Sequence, residues 1–233
     1  DGIRHIVRII DDETISKELI ASFEKEELYI ADGHHRAASG VRVGKMRREK
    51  LEKYTGDEEF NYFLSVIFPH SELKILSYNR VVKDLNSMSV EDFKKALGKN
   101  FKLTRDNKKI PERVNTFSMY LQREWYTLTP LFEISDDPIE SLDVTIIQKY
   151  ILEPLLGIKD PRKDKRIDFI GGIRGTAELE RVVDAGDFAV AFSMYPTEIE
   201  QLIKVSDAGL IMPPKSTWFE PKLRDGLLIH LLD

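Results

Sequence analysis

The run Phe188-Ala189-Val190-Ala191-Phe192 carries no polar side chain on either face. A strand of that kind needs apolar cover on both sides. It therefore belongs near the centre of a sheet with helices packed against it. The same chain must supply its neighbours, and the pattern on either side says what they are.

Upstream, Phe101-Lys102-Leu103, Asn115 to Leu121 and Glu124 to Thr129 read as meander strands, punctuated by Lys108-Lys109-Ile110-Pro111. Asn61 to Phe68 reads as a buried strand that forms a hairpin with Leu73 to Val82 across the turn Pro69-His70-Ser71-Glu72. Ile3 to Ile10 and Leu28 to Ala31 are further strand-like runs. Between these two, Thr14 is the expected N-cap of a helix carrying Ile15, Leu19, Ile20 and Phe23 at helical spacing. Ser89, followed by Glu91 and Asp92, starts another helix.

After Ser135-Asp136-Asp137-Pro138 the pattern changes. A helix from Asp143 to Leu156 is stopped by Gly157, and Ile167 to Ile170 is a strand ended by Gly171-Gly172. Helices capped by Thr176 and Thr197 flank the apolar strand. A strand after Thr217, a turn at Arg224-Asp225-Gly226 and a strand from Leu227 to Leu232 close the chain. The order predicts an α+β fold: a mixed sheet, with hairpin strands in the N-terminal part and alternating helices and strands in the C-terminal part. The expected division is residues 1–134 and 135–233, or one continuous domain.

Composition excludes several classes of function. There is no cysteine, which removes disulfides, thiol catalysis and zinc–thiolate sites. The 35 basic and 40 acidic residues leave a net charge of -5, against a whole-surface basic field, so nucleic acid is not an expected partner. No apolar run approaches the roughly 20 residues of a membrane span, and no signal peptide is seen, so a cytoplasmic protein is expected. The chain starts at Asp1 without methionine, already in a strand-like run. It reads as a fragment from which a natural N-terminal part was removed. The sequence leaves the oligomeric state open.

The sharpest chemical feature is Tyr29-Ile30-Ala31-Asp32-Gly33-His34-His35-Arg36, a strand running through an Asp-Gly turn into a helix. A helix N-terminus presents unpaired N–H groups and a positive dipole end, which suit a phosphate. Gly33 lets a ligand approach the backbone, and Arg36 can clamp phosphate oxygens. His34 or His35 can move a proton near neutral pH. Asp32 can cap the helix, orient a histidine or hold Mg²⁺ through water. The same residues would equally make a capped turn with two surface histidines. Neighbouring helical residues point about 100° apart, so the histidine pair is a poor zinc site and no protein-held metal is expected.

A second feature is the proline-braced run Met212-Pro213-Pro214-Lys215-Ser216-Thr217-Trp218-Phe219-Glu220-Pro221-Lys222. Lys215, Ser216 and Thr217 can contact an anion, whereas Trp218 and Phe219 read as core. Gly171-Gly172-Ile173-Arg174-Gly175-Thr176 looks like a phosphate turn but matches no phosphate-loop spacing, so its glycines read as backbone requirements. Asp143 sits where an acidic residue favours a helix start. His5, His70 and His230 are isolated.

Four blocks, LYIADGHHRAASG, SLDVTIIQKYILEPLLGI, IDFIGG and MPPKSTWFEPKLRDGLLIHLL, resemble in the same order the bacterial and archaeal family catalogued as domain of unknown function 1015. Members of that family are usually longer, with an extra region ahead of the start seen here. Over about eight residues, the Asp-Gly-His-His-Arg turn is also similar to the phosphate-binding motif of the ParB/sulfiredoxin-like superfamily, and most of all to its free-serine kinases. That likeness implies that Asp32, Gly33, His34, His35 and Arg36 hold a nucleotide or phosphate. It also implies a carboxylate base, which the sequence does not place.

The expected function is that of a nucleotide- or phosphate-binding enzyme, a phosphotransferase acting on a small molecule such as free serine. Its expected catalytic residues are Asp32, His34 and His35. Gly33, His35, Arg36, Lys215, Ser216 and Thr217 would bind phosphate. Mg²⁺ with ATP, ADP or pyrophosphate is the expected cofactor set. The competing readings are a nucleotide-sensing or partner-binding module without catalysis, and a metal hydrolase using the histidine pair. The leading reading requires residues 32–36 and 213–217 to converge.

Overall fold

The computed structural model describes residues 4–224 and 226–232. Its centre is a six-stranded sheet, all of whose pairings are antiparallel. The strands are β2 (Tyr78–Val82), β3 (Phe101–Arg105), β4 (Phe117–Leu121), β5 (Glu124–Pro130), β6 (Ile167–Gly171) and β7 (Val190–Met194). They lie in the order β3-β5-β4-β7-β2-β6. The apolar strand is therefore inside the sheet as β7, and the three expected meander strands form as β3, β4 and β5, but not as a meander, because β5 lies between β3 and β4 and pairs with both. The sheet takes strands from both sides of residue 135.

Alternation along the strands sends side chains to two cores. On one face Phe117, Met119, Leu121, Val190, Phe192 and Met194 meet Phe93 and Leu97 of α3 (Val90–Leu97). The same core takes Ile146 and Ile147 of α4 (Asp143–Ile147), which widens into a π-helical turn over Gln148–Leu152. On the other face Val81, Tyr120, Trp125 and Ala191 meet Leu179 and Val182 of α5 (Gly175–Asp184). Gly157, at φ 71°, marks the end of the expected Asp143 helix. Ser89 caps α3 through the Asp92 N–H at 3.1 Å.

Three other caps differ. Asp12, not Thr14, caps α1 (Glu13–Phe23), because its carboxylate reaches the N–H groups of both Thr14 and Ile15. No side chain caps α5, whose N-cap is Arg174. Glu198 and Gln201 form a capping box for α6 (Ile199–Asp207). Thr197 instead donates its hydroxyl to the Ser216 carbonyl at 3.0 Å.

The expected strands at residues 4–10, 28–31, 61–68 and 227–232 are not strands. Glu59–Asn61 is a single 3₁₀ turn, and the residues after it carry exposed Tyr62, Phe63, Leu64, Val66 and Ile67. A period-2 apolar run is only compatible with a strand, since the ladder needs a partner edge. No partner for these runs is present among the described residues. Ile3 and Asp225 lie outside the described residues. The expected Leu73 to Val82 strand divides into β1 (Lys74–Leu76) and β2, and β1 pairs with β8 (Trp218–Glu220) rather than with residues 61–68.

The C-terminal segment ties the first third of the chain to the sheet. Tyr29 donates its hydroxyl to Asp207 at 2.8 Å. Arg47 of α2 (His34–Arg48) donates to the Leu232 carbonyl at 2.5 Å. His230 lies 2.9 Å from the Glu59 carbonyl. No helix among the described residues is long and apolar enough to cross a membrane.

Candidate functional site

Gly33 is the N-cap of α2, with φ 85° and ψ 27°. That left-handed conformation is open to glycine at little cost. It swings the chain so that α2 begins at His34, and the N-cap residue, lacking a side chain, makes no cap hydrogen bond to the first turn. The helix start thus keeps its donors and its positive dipole end for another acceptor. A methyl group built on Gly33 would lie 3.0 Å from Nη2, 3.1 Å from Nε and 3.3 Å from Cζ of Arg36. The guanidinium is folded back over the glycine. His34 and His35 are exposed in the same first turn.

Asp32 links this turn to the C-terminal segment. Its Oδ1 accepts the Gly33 N–H at 2.8 Å and its Oδ2 accepts from Lys222 Nζ at 3.0 Å. Partial burial opposes its charge. The Lys222 ammonium, the Gly33 N–H and Arg36 outweigh that and hold the carboxyl below its usual range. Asp32 therefore reaches across the chain to a lysine, and among the described residues it bonds to neither histidine.

From Lys222 a row of cations and rings leads to the proline-braced loop. Lys222 Nζ lies 5.6 Å from the Trp218 ring centre, and the Trp218 and Tyr78 rings are 5.3 Å apart. Lys215 Nζ lies 5.0 Å from Tyr78 and 6.0 Å from Phe169. A chain of contacts thus runs from Asp32 through Lys222, Trp218 and Tyr78 to Lys215, and among the described residues no hydrogen bond or ion pair joins residues 32–36 directly to the loop at 213–217. Lys215 is exposed, with φ 57°. Ser216 is buried and donates its hydroxyl to the Pro213 carbonyl at 2.6 Å, which folds the loop on itself. Thr217 is half-buried.

A family model described as "Protein of unknown function (DUF1015)" matches residues 1–145. The chain belongs to the DUF1015 family. No curated protein matches it. Among solved structures, a mutant free serine kinase in complex with AMP is similar at 14% identity and TM-score 0.43, over 89% of this chain and 78% of that one. A free serine kinase mutant in complex with ADP is similar at 14% and 0.40, over 89% and 78%. A conserved hypothetical protein from Pyrococcus furiosus is similar at 13% and 0.42, over 89% and 81%.

Behind the surface of this DUF1015 chain lies a polar layer that sequence reasoning missed. Arg80 on β2 is 3% exposed, on the face of the larger core. It donates to the Tyr78 carbonyl and, from Nη2 at 3.2 Å, to the Lys215 carbonyl. Its guanidinium lies 5.5 Å from the Phe169 ring. Burial pushes its pKa down to about 10, against the attraction of Asp143. Asp143 is buried at the start of α4. Its Oδ1 accepts from the Asn115 backbone at 2.7 Å and from the Asn115 side chain at 3.1 Å, while Oδ2 has no partner among the described residues. Burial drives its pKa up to about 7 despite the Asn115 bonds and Arg80, and Glu198 adds to the rise. Asn79 and Arg80, two polar residues running straight into the valines of the strand Tyr78 to Val82, were the signal in the sequence.

Gly171 explains the Gly-Gly turn. A methyl group there would come within 2.5 Å of the Trp218 ring. The strand end is bare so that the indole can pack against it. The expected result of Gly171→Ala is displacement of Trp218 and loosening of the β1–β8 pair, at a cost of about 1–3 kcal/mol. Urea unfolding followed by Trp fluorescence measures it, and an unchanged midpoint and emission maximum would contradict the packing.

A cleft of about 710 Å³ at the β4–β5 hairpin shares no residue with this site. Its polar groups answer one another, as in Arg105–Glu124 at 2.6 Å and Lys109–Glu180 at 2.8 Å. Among the described residues, no group of three or more His, Asp or Glu could hold a metal ion.

Proposed function

We propose that the turn at Asp32–Arg36 binds the phosphate of a nucleotide and that the protein transfers a phosphoryl group to a small hydroxyl compound, free serine being the first acceptor to test. The observation that carries this reading is the left-handed Gly33 ahead of the uncapped α2, with the Arg36 guanidinium laid over it. Backbone N–H groups at a helix start with a guanidinium beside them suit a phosphoryl group as its charge redistributes.

In the transfer, the acceptor oxygen bonds to the terminal phosphorus as the bond to the leaving phosphate breaks. The acceptor proton passes to His34 or His35, both of which stand at the same helix start. Asp32, held between the Gly33 N–H and Lys222, keeps the loop in shape. A single carboxylate with both oxygens engaged does not suit a resident Mg²⁺. The ion belongs to the substrate, arriving on the phosphates.

A thermal-shift series with ATP, ADP, pyrophosphate and phosphate, with and without Mg²⁺, tests the binding site. A ligand that binds only the folded chain raises its melting temperature. Wild type should shift, and Arg36→Ala should lose affinity about tenfold to a hundredfold, the worth of one charged hydrogen bond. No shift in wild type, or an equal shift in the variant, overturns the assignment. Phosphoserine formation from ATP and serine then tests the transfer. Binding without turnover on any hydroxyl acceptor would assign the site to nucleotide sensing instead.

A further inference from the structure

Lys222 and Lys215 both sit over aromatic faces, and those rings touch each other. A partly exposed cation over a ring gains only about 0.5–1 kcal/mol, which a phosphate oxygen readily exceeds. Lys215 makes no ion pair among the described residues. Lys222 uses one of its three N–H donors on Asp32 Oδ2. The Lys222 and Asp32 side chains are 43% and 56% exposed, so the remaining donors face outward.

The order of groups along this surface is informative. The Asp32 carboxylate stands between the Gly33 N–H on one oxygen and Lys222 on the other. A phosphate seated against α2 and Arg36 would compete for Lys222 with that carboxylate, which already takes one of its donors. A second, linked phosphate lying beyond it would meet the lysine directly, with Lys215 further along the row. Building on the phosphate reading above, we propose that Lys222, backed by Lys215, binds the second phosphate of a diphosphate-bearing ligand, and so makes the site select diphosphates over monophosphates. The shared chemistry is that of inorganic pyrophosphate and of a nucleoside diphosphate.

Calorimetric titration of the full chain with phosphate, pyrophosphate and ADP, for wild type, Lys222→Met, Lys222→Arg and Arg36→Ala, tests this. Wild type should bind pyrophosphate and ADP at least about tenfold more tightly than phosphate. Lys222→Met should remove most of that preference, and Lys222→Arg should keep it. Arg36→Ala should weaken all three ligands together. A merely structural lysine would not change the ratio of pyrophosphate to phosphate affinity. An unchanged ratio in Lys222→Met, or an equal loss for both ligands, overturns the proposal while leaving the phosphate site standing. No binding of any ligand by wild type overturns both. ADP binding as tightly as pyrophosphate identifies the diphosphate as sufficient. Tighter ADP binding adds a nucleoside contact, and either result supports two phosphates.

Trp218 gives an independent signal, because Lys222 must shift on its ring as the ligand arrives. Pyrophosphate should change its emission, and Trp218→Phe should abolish that change. The second tryptophan, Trp125, is 4% exposed and bonded to Glu180. A full response remaining in Trp218→Phe counts against the proposal.

Discussion

Asp143→Asn should remove a fall in stability that wild type shows between about pH 4 and pH 7. In the unfolded chain Asp143 ionises at its ordinary value of 3.8, whereas in the fold it holds its proton to about 7. Between those limits the folded state binds more protons than the unfolded state. Stability therefore declines as pH rises, and the contribution is gone above the folded value. Three pH units at about 1.4 kcal/mol each set the scale at about 4 kcal/mol. Arg80 stays charged throughout, because its pKa lies near 10. Asparagine copies the neutral acid and keeps the oxygen that accepts from Asn115. The variant should match wild type in acid and exceed it at pH 8. Urea titrations at pH 4.5, 6 and 8 decide the matter, and parallel curves for the two proteins would show that Asp143 is not a buried neutral acid.

Arg80→Met should cost about 3 kcal/mol, since methionine fills the space but leaves the part-buried carbonyls of Tyr78 and Lys215 without their charged donor. The Lys215 backbone, in a left-handed conformation that favours glycine, depends on that bond for support. The loop at 213–217 should open before the sheet does. Hydrogen exchange of those amides, measured beside global unfolding, separates the two effects. A loss below about 1 kcal/mol with unchanged exchange would mean that Arg80 does not hold the loop.

The sheet was legible from residues that decide locally. Phe188 to Phe192 has no polar face, so its neighbour strands had to lie on both sides. The β4–β5 hairpin and the Ser89 cap likewise follow from residues close in sequence. Of the site, the turn itself was legible, because a glycine between an apolar run and a helix restricts the backbone at that point. Lys222 stood in the quoted proline-braced run, yet nothing near it marks a partner 190 residues away. Asp143 looked like an ordinary helix-start carboxylate. Its burial depends on Asn115, Arg80 and Glu198 arriving from three other elements.

The sequence by itself determined the α+β class, the central strand, and the Asp32–Arg36 turn with α2 behind it. Only the tertiary structure decided which apolar runs become strands. Residues 4–10 and 61–68 have the pattern, but a ladder is made by two edges, and theirs meet none among the described residues. The tertiary structure also brought Asp32 to Lys222 and Lys215 to Arg80. A charge pair or a carbonyl–guanidinium bond acts over a few ångströms in space and leaves no period along the chain. Such contacts become visible only once the backbone has carried their partners together.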